Sequence, residues 1–243
     1  MKSCLQNFFV VLVRTRFPEN IGSAARCVAN MGLGGIIAVS PENPDREKML
    51  KLATHKAAFL IENMDIHNDI LEALSGFNYV VGTTSRTGRG YRSPVITPRT
   101  LAREIWPIAE NNRVALLFGP EDKGLSNREI LLCQRLVRIP TASLSSLNLA
   151  QAVMILAYEL FVSKNEEPET EETKRASIAE LEGMFDHLKE AFIRIHYIDN
   201  ENPDYWMMKI RRFFNKRGLN SNEVRLIRGF CRHLLWIAGR YGL

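Results

Sequence analysis

Five short apolar runs set the strongest limit on what this chain can fold into. Residues 8–13, 35–39, 79–82, 114–118 and 136–139 are near-continuous Val, Ile, Leu and Phe, with no apolar–polar alternation. A strand with one wet face alternates, whereas a strand covered on both faces does not. Helix-like stretches at 21–31, 46–59 and 99–106 occupy gaps between the runs. Strands alternating with helices predict a parallel sheet in an α/β domain. With 243 residues, 46% of them hydrophobic, the chain can bury one large core, or one core and a small accessory domain. That apolar content excludes disorder along the whole chain. Thirty-two Lys and Arg against 27 Asp and Glu leave a net charge of +5, which permits a polyanionic partner without requiring one.

Cys4, Cys27, Cys133 and Cys231 are far apart, no C-x-x-C pair occurs, and the five His are scattered. Neither a disulfide framework nor a zinc site is expected, and no metal is implied. The first apolar run spans six residues, 8–13, too few for a signal peptide's core or a membrane span. A cytoplasmic chain with no membrane partner is the expectation.

A helix opening near Leu147 places Leu149, Val153, Leu156 and Leu160 on one face. The composition then changes: residues 165–173 read NEEPETEET, a solvated stretch without a large apolar residue. This predicts a domain over 1–164, an acidic linker over 165–175 and a helical extension over 176–243. Ser177 and Glu180 have capping-box spacing, and Ile178, Leu181, Phe185, Leu188, Phe192 and Ile195 follow at helical steps. Asn202 and Pro203 restart a helix, with Trp206, Ile210 and Phe213 on one face and Lys209, Arg212 and Lys216 on another. A third helix from about Glu223 is expected to turn Val224, Ile227, Phe230 and Leu234 inward. From residue 205 to 243, nine Lys or Arg face one acid, Glu223. A basic helical face is commonly a solvated surface; beside aromatic residues it also suits a phosphate backbone. The sequence leaves both readings open.

Three loops, each at a strand-to-helix junction, carry candidate chemistry. In the first, Pro18 to Arg26 (PENIGSAAR), Asn20 can cap the following helix, small residues allow close packing, and Arg26 points outward one turn on. The second is Phe118 to Leu125 (FGPEDKGL), at the carboxyl end of a buried run, where open α/β sheets bind ligands. It lacks the Gly-Lys-Ser/Thr of a P-loop, and Glu121 alone could be a solvated turn acid. The third runs from Ile139-Pro140 to Ser145-Ser146-Leu147-Asn148, entering a helix. Ser and Asn there also suit simple capping.

In this order the three loops resemble the three motifs of the SPOUT methyltransferases, in the TrmH-like branch that methylates ribose 2′-hydroxyls of RNA. The resemblance covers about residues 7 to 163. The acidic linker and helical tail resemble, in layout more than in motif, members acting on the tRNA anticodon loop. The resemblance implies an α/β domain of parallel sheet with a C-terminal deep trefoil knot, a homodimer, and a small all-α C-terminal domain that binds RNA. It implies S-adenosylmethionine as cofactor, held by Thr83, Thr84 and Ser85, by Gly119, and by Ile139, Ser145, Ser146 and Leu147. Arg26 matches the family's essential arginine; Asn20, Glu121 and Ser146 match its companions at the dimer interface. The implied reaction is 2′-O-methylation of a cytidine or uridine in the tRNA anticodon loop, at position 32. The alternatives are the same reaction on ribosomal RNA, or an RNA-binding protein that has lost turnover. Because a guanidinium stays protonated, Arg26 is expected to hold a phosphate and stabilise the developing alkoxide, not to remove the proton. Arg86, Arg89 and Arg92 could touch RNA or keep their loop soluble, with Gly88 and Gly90 letting the loop mould to a partner.

Overall fold

Each of the five apolar runs forms a strand, and two further strands join them. The computed structural model describes residues 4–86, 95–142, 146–164, 174–198, 201–215 and 218–241. In it β1 (Phe8–Val13), β2 (Gly35–Val39), β3 (Asp65–His67), β4 (Tyr79–Thr83), β5 (Val95–Ile96), β6 (Val114–Phe118) and β7 (Arg135–Val137) make one sheet. Its order is β3-β2-β1-β6-β4-β7-β5, and every pairing is parallel. β2 and β6 are buried along their whole length and β1 nearly so, which is why they carry no polar alternation. β3 and β5, absent from the sequence reading, lack that signature. β3 is an edge strand with Asp65 and Ile66 exposed, and β5 is a two-residue edge strand.

Helices fill the connections: α1 (Pro18–Met31), α2 (Arg46–Glu62), α3 (Ile70–Leu74), α4 (Pro98–Glu104), α5 (Trp106–Asn111), α6 (Asn127–Leu131) and α7 (Leu149–Ser163). α1 packs against α2 and α7. At Gly22 the α1 and α2 backbones touch: a Cβ there would lie 2.0 Å from the Met49 carbonyl oxygen, so only glycine fits. α2 is kinked at Thr54, whose φ of 64° and ψ of 167° are not helical.

Two local expectations are corrected. Asn20 does not cap α1: Phe17 stands at the N-cap with no side-chain bond, and Pro18 opens the helix, where its missing N–H costs nothing. The stretch 99–106 is not one helix but the end of α4 and the start of α5, parted at Ile105. Pro107 has no N–H to continue the ladder and its ring crowds the preceding turn.

The chain divides into two compact units, residues 1–172 and 173–243. In the second, α8 (Ile178–Arg194) packs against α9 (Pro203–Asn215) and α10 (Ser221–Tyr241). Ser177 and Glu180 form the capping box of α8, and Ile178, Leu181, Phe185 and Leu188 are buried. The inward faces of α9 and α10 differ from the periodicity. Met207 is the buried residue of α9, while Trp206 and Phe213 are exposed. On α10 the buried residues are Val224, Cys231 and Ala238, seven apart, and Phe230 is 63% exposed. Small residues at that spacing let α10 lie close to α8 and leave the larger aromatics outside. Residues 165–173, Arg89, Arg92, Gly88, Gly90, Ser145 and Lys216 lie outside the described residues.

Candidate active site

Four loops leave the carboxyl ends of four neighbouring strands. β1, β6, β4 and β7 are adjacent and parallel, so the segments starting at Arg14, Gly119, Thr84 and Arg138 emerge along one edge of the sheet. Open parallel sheets bind ligands at such an edge.

A cavity of about 370 Å³ lies there, within the range of small-ligand sites. Thr83, Thr84, Ser85, Gly119, Ile139, Ser146 and Leu147, which the resemblance assigns to the cofactor, line it together with Glu121 and Arg86. The walls are pinned by the sheet: the Thr84 N–H donates to the Val137 carbonyl (2.9 Å), and the Thr83 hydroxyl to the Leu117 carbonyl (3.0 Å). Gly119 is required by its turn, since a Cβ would lie 2.3 Å from the Leu125 nitrogen.

Outside the cavity is an open cleft lined by Phe17, Glu19, Asn20 and Asn148, which shares Glu121, Ser146 and Leu147 with it. Here the three motif loops are joined by side chains. Asn20 Nδ2 donates to Glu121 Oε1 (2.7 Å), and Asn148 Nδ2 donates to Asn20 Oδ1 (3.0 Å). Asn148 Oδ1 accepts from the Ala150 N–H (2.9 Å), and Glu121 Oε2 from the Arg16 N–H (3.2 Å). One amide orientation satisfies the whole chain: a carboxylate can only accept, so Asn20 turns its NH2 to Glu121 and its oxygen to Asn148. Asn148 thus caps α7 and anchors Asn20 at once, so the capping reading of the third loop is correct but incomplete.

Arg26 stands apart. It projects from α1, is exposed, and is not among the residues lining the cavity or the cleft. Among the described residues, none makes a hydrogen bond or ion pair with its guanidinium. The fold therefore gathers Asn20, Glu121 and Ser146 but leaves Arg26 outside this group.

A second clasp was not visible in the sequence. Arg14, with a left-handed φ of 49°, forms a two-pronged ion pair with Glu129, whose side chain is 5% exposed. Burial alone would raise the Glu129 pKa. The bond from Arg14 and that from the Ser126 N–H outweigh it and hold the carboxyl below its usual range. Glu129 also closes the capping box of α6 with Ser126, so the pair ties the β1 exit to the element after the second motif. The Ser-x-x-Glu capping pattern at 126–129 was a readable signal for the helix; the partner 115 residues away was not.

Burial pushes the Cys27, Cys133 and Cys231 thiols up, which disfavours their thiolate forms. Among the described residues no group of His, Cys, Asp and Glu could hold a metal ion, and no helix is long and apolar enough to cross a membrane.

Residues 7–158 match the SpoU rRNA Methylase family, and residues 179–240 match the family described as tRNA methyltransferase TrmJ, C-terminal domain. The chain is 35% identical over 232 residues to the tRNA (cytidine/uridine-2′-O-)-methyltransferase TrmJ of Escherichia coli K12, covering 93% of this chain and 94% of that one. It is similar to the crystal structure of TrmJ from Z. mobilis ZM4, with a TM-score of 0.79 and 31% identity over 93% of this chain and 97% of that one. A more distant likeness is the SpoU methyltransferase AviRb from Streptomyces viridochromogenes in complex with the cofactor AdoMet. There the TM-score is 0.53 and the identity 25%, over 65% of this chain and 60% of that one.

Proposed function

The chain belongs to the SpoU methylase family, and on that premise we propose that it transfers a methyl group from S-adenosylmethionine to the 2′-hydroxyl of a cytidine or uridine ribose in tRNA. The observation that carries this reading is the side-chain relay Asn148–Asn20–Glu121, which joins three motif loops beside the cavity. The cavity suits the cofactor by its size of about 370 Å³ and by a lining that includes Thr83, Thr84, Ser85 and Gly119. Bound there, S-adenosylmethionine supplies an electrophilic methyl group on its sulfonium.

The chain's own task is to position and activate a poor nucleophile, the ribose oxygen. Glu121 and Ser146 line both the cavity and the cleft, so a ribose in the cleft would meet the cofactor's end of the cavity across these two side chains. Arg26 holds the adjoining phosphate and stabilises the developing alkoxide, while Ser146, water or the phosphate takes the proton. Near-normal turnover by Arg26→Lys with a pH profile shifted towards lower pH would speak for a base at this position instead.

Arg26 lies outside the cavity of its own chain, which supports a homodimer in which Arg26 of one protomer serves its partner's cavity. Tyr158, Phe161 and Val162, all exposed on α7, supply apolar surface for that contact. The trefoil knot around the cofactor loops, the cytoplasmic location, the domain limits, position 32 as target and RNA binding by the helical extension belong to the same proposal.

The test is methyl transfer from labelled S-adenosylmethionine to unmodified tRNA and, in parallel, to ribosomal RNA. Label in tRNA is expected. Label in ribosomal RNA alone would keep the chemistry and overturn the substrate; no label in either, with cofactor binding intact, would favour a binding protein without turnover. A chain ending at Lys164 should keep cofactor binding and lose tRNA binding; unchanged tRNA methylation by it would contradict the role given to the extension.

A further inference from the structure

The second unit turns aromatic side chains outward where its core does not use them. On α9, Tyr205 and Trp206 are 45% and 41% exposed, and their rings meet edge to face at 5.9 Å. The Lys209 ammonium lies over both, 4.3 Å from the Tyr205 ring centre and 4.8 Å from that of Trp206. α9 is tied to α8 by the half-buried pair of Arg211 with Glu182 (2.9 Å between Nη2 and Oε2) and by the contact of Phe214 with Phe185, and Met207 of α9 is buried. Trp206 is not among these residues.

A partly exposed indole with a cation already resting on it is a preorganised site for a flat ring next to a negative charge. An unpaired nucleobase with its phosphate has that chemistry, and unstacked bases are the parts of RNA that proteins read by stacking. Charge favours the same partner, because residues 205–243 carry nine Lys or Arg and one acid. The combination recurs on α10, where His233 stacks on Trp236 (5.5 Å, 20° between planes) and Arg240 lies 5.3 Å from the same indole.

We propose that Trp206, flanked by Tyr205 and Lys209, stacks an unpaired nucleobase of the tRNA, and that Lys209 pairs with the neighbouring phosphate. The inference rests on the tRNA reading above and adds a base-contacting site to it.

Binding of a fluorescently labelled tRNA transcript to the full chain, measured across a salt series, tests it. Trp206→Ala should weaken binding roughly tenfold with an unchanged slope of log affinity against log salt, because a stacked base releases no counterion. Trp206→Phe should stay within about threefold, and Lys209→Gln should lower the slope by about one. Tryptophan fluorescence should fall on adding tRNA to the wild type, and much of that quenching should vanish in Trp206→Phe. That readout stands even if the alanine variant folds poorly. Wild-type affinity in Trp206→Ala, or full quenching in Trp206→Phe, would overturn the stacking site while leaving the tRNA reading intact. A Trp206→Ala variant with altered sedimentation and unaltered tRNA affinity would assign the surface to protein contact and equally overturn it. Failure of the wild type to bind tRNA, with cofactor binding preserved, would overturn the reading beneath it.

Discussion

The two units carry their candidate contacts on opposite materials. In the first, the candidate side chains are short and polar, held by the fold to within one hydrogen bond of each other. Asn20, Glu121 and Asn148 come from three loops, and the parallel sheet delivers all three to one edge. In the second unit the candidate contacts are long side chains on helix surfaces, Tyr205, Trp206, Lys209 and Trp236, while the core is built mainly from the buried face of α8, Ile178, Leu181, Phe185 and Leu188. Precision in the first unit comes from the hydrogen-bonded register of the sheet. Reach in the second comes from leaving Tyr205, Trp206 and Trp236 outside the core. A reaction at one oxygen requires the former, and grip on a large polyanion tolerates the latter.

The largest expected effect falls on the polar side of this contrast. Arg26→Ala should lower kcat by about 10²–10³-fold while leaving S-adenosylmethionine affinity within about twofold, since Arg26 does not line the cavity. Single-turnover kinetics with calorimetric cofactor binding would check both halves.

The helical side is sharpened by a pair of substitutions. Met207→Ala should cost about 2–3 kcal/mol in denaturant unfolding, because Met207 is buried between α9 and its neighbours. Phe230→Ser should change stability by less than about 0.5 kcal/mol, because its ring is in solvent. The reverse ranking would restore the inward face that periodicity predicts.

That pair marks where the sequence was legible and where it was not. Buried strands at 8–13, 35–39 and 114–118 declare themselves because apolar residues on both faces have no other explanation. The α8 face is equally plain. On α10, Phe230 at helical spacing is read as inward, but aromatic surface has the same periodicity. At the site, the loops that the family resemblance assigns to the cofactor supply eight residues, seven of which line the cavity; Ser145 is the eighth and lies outside the described residues. The Arg14–Glu129 clasp and the Asn20–Glu121 bond were not legible, because they join residues 115 and 101 apart and only the strand order brings them together.

The clasp predicts a pH signature. Glu129 has a depressed pKa, so its contribution is complete above the unfolded carboxyl value of about 4.3 and is lost as pH falls through the lower folded value. Glu129→Gln should therefore cost about 1–2 kcal/mol at pH 7, discounted because Arg14 is 41% exposed, and its deficit should shrink in acid. Urea unfolding at pH 7 and near pH 3 reads the difference; a constant deficit would contradict it.

A smaller effect than that of the clasp concerns backbone strain in α2. Thr54 holds a left-handed φ of 64° inside α2 and is exposed, so Thr54→Gly should stabilise the protein by about 0.5–1 kcal/mol. A lowered melting temperature would show that the kink is held by the threonine side chain itself.

The most direct test of the central claim compares wild type with Asn20→Ala in methyl transfer to tRNA, with the product nucleosides resolved by mass. The account predicts 2′-O-methylcytidine or 2′-O-methyluridine from the wild type and about 10²-fold less from the variant at equal cofactor occupancy, because the relay Asn148–Asn20–Glu121 positions the loops around the ribose. Methylation of a base, or an Asn20→Ala variant working at the wild-type rate, would contradict it.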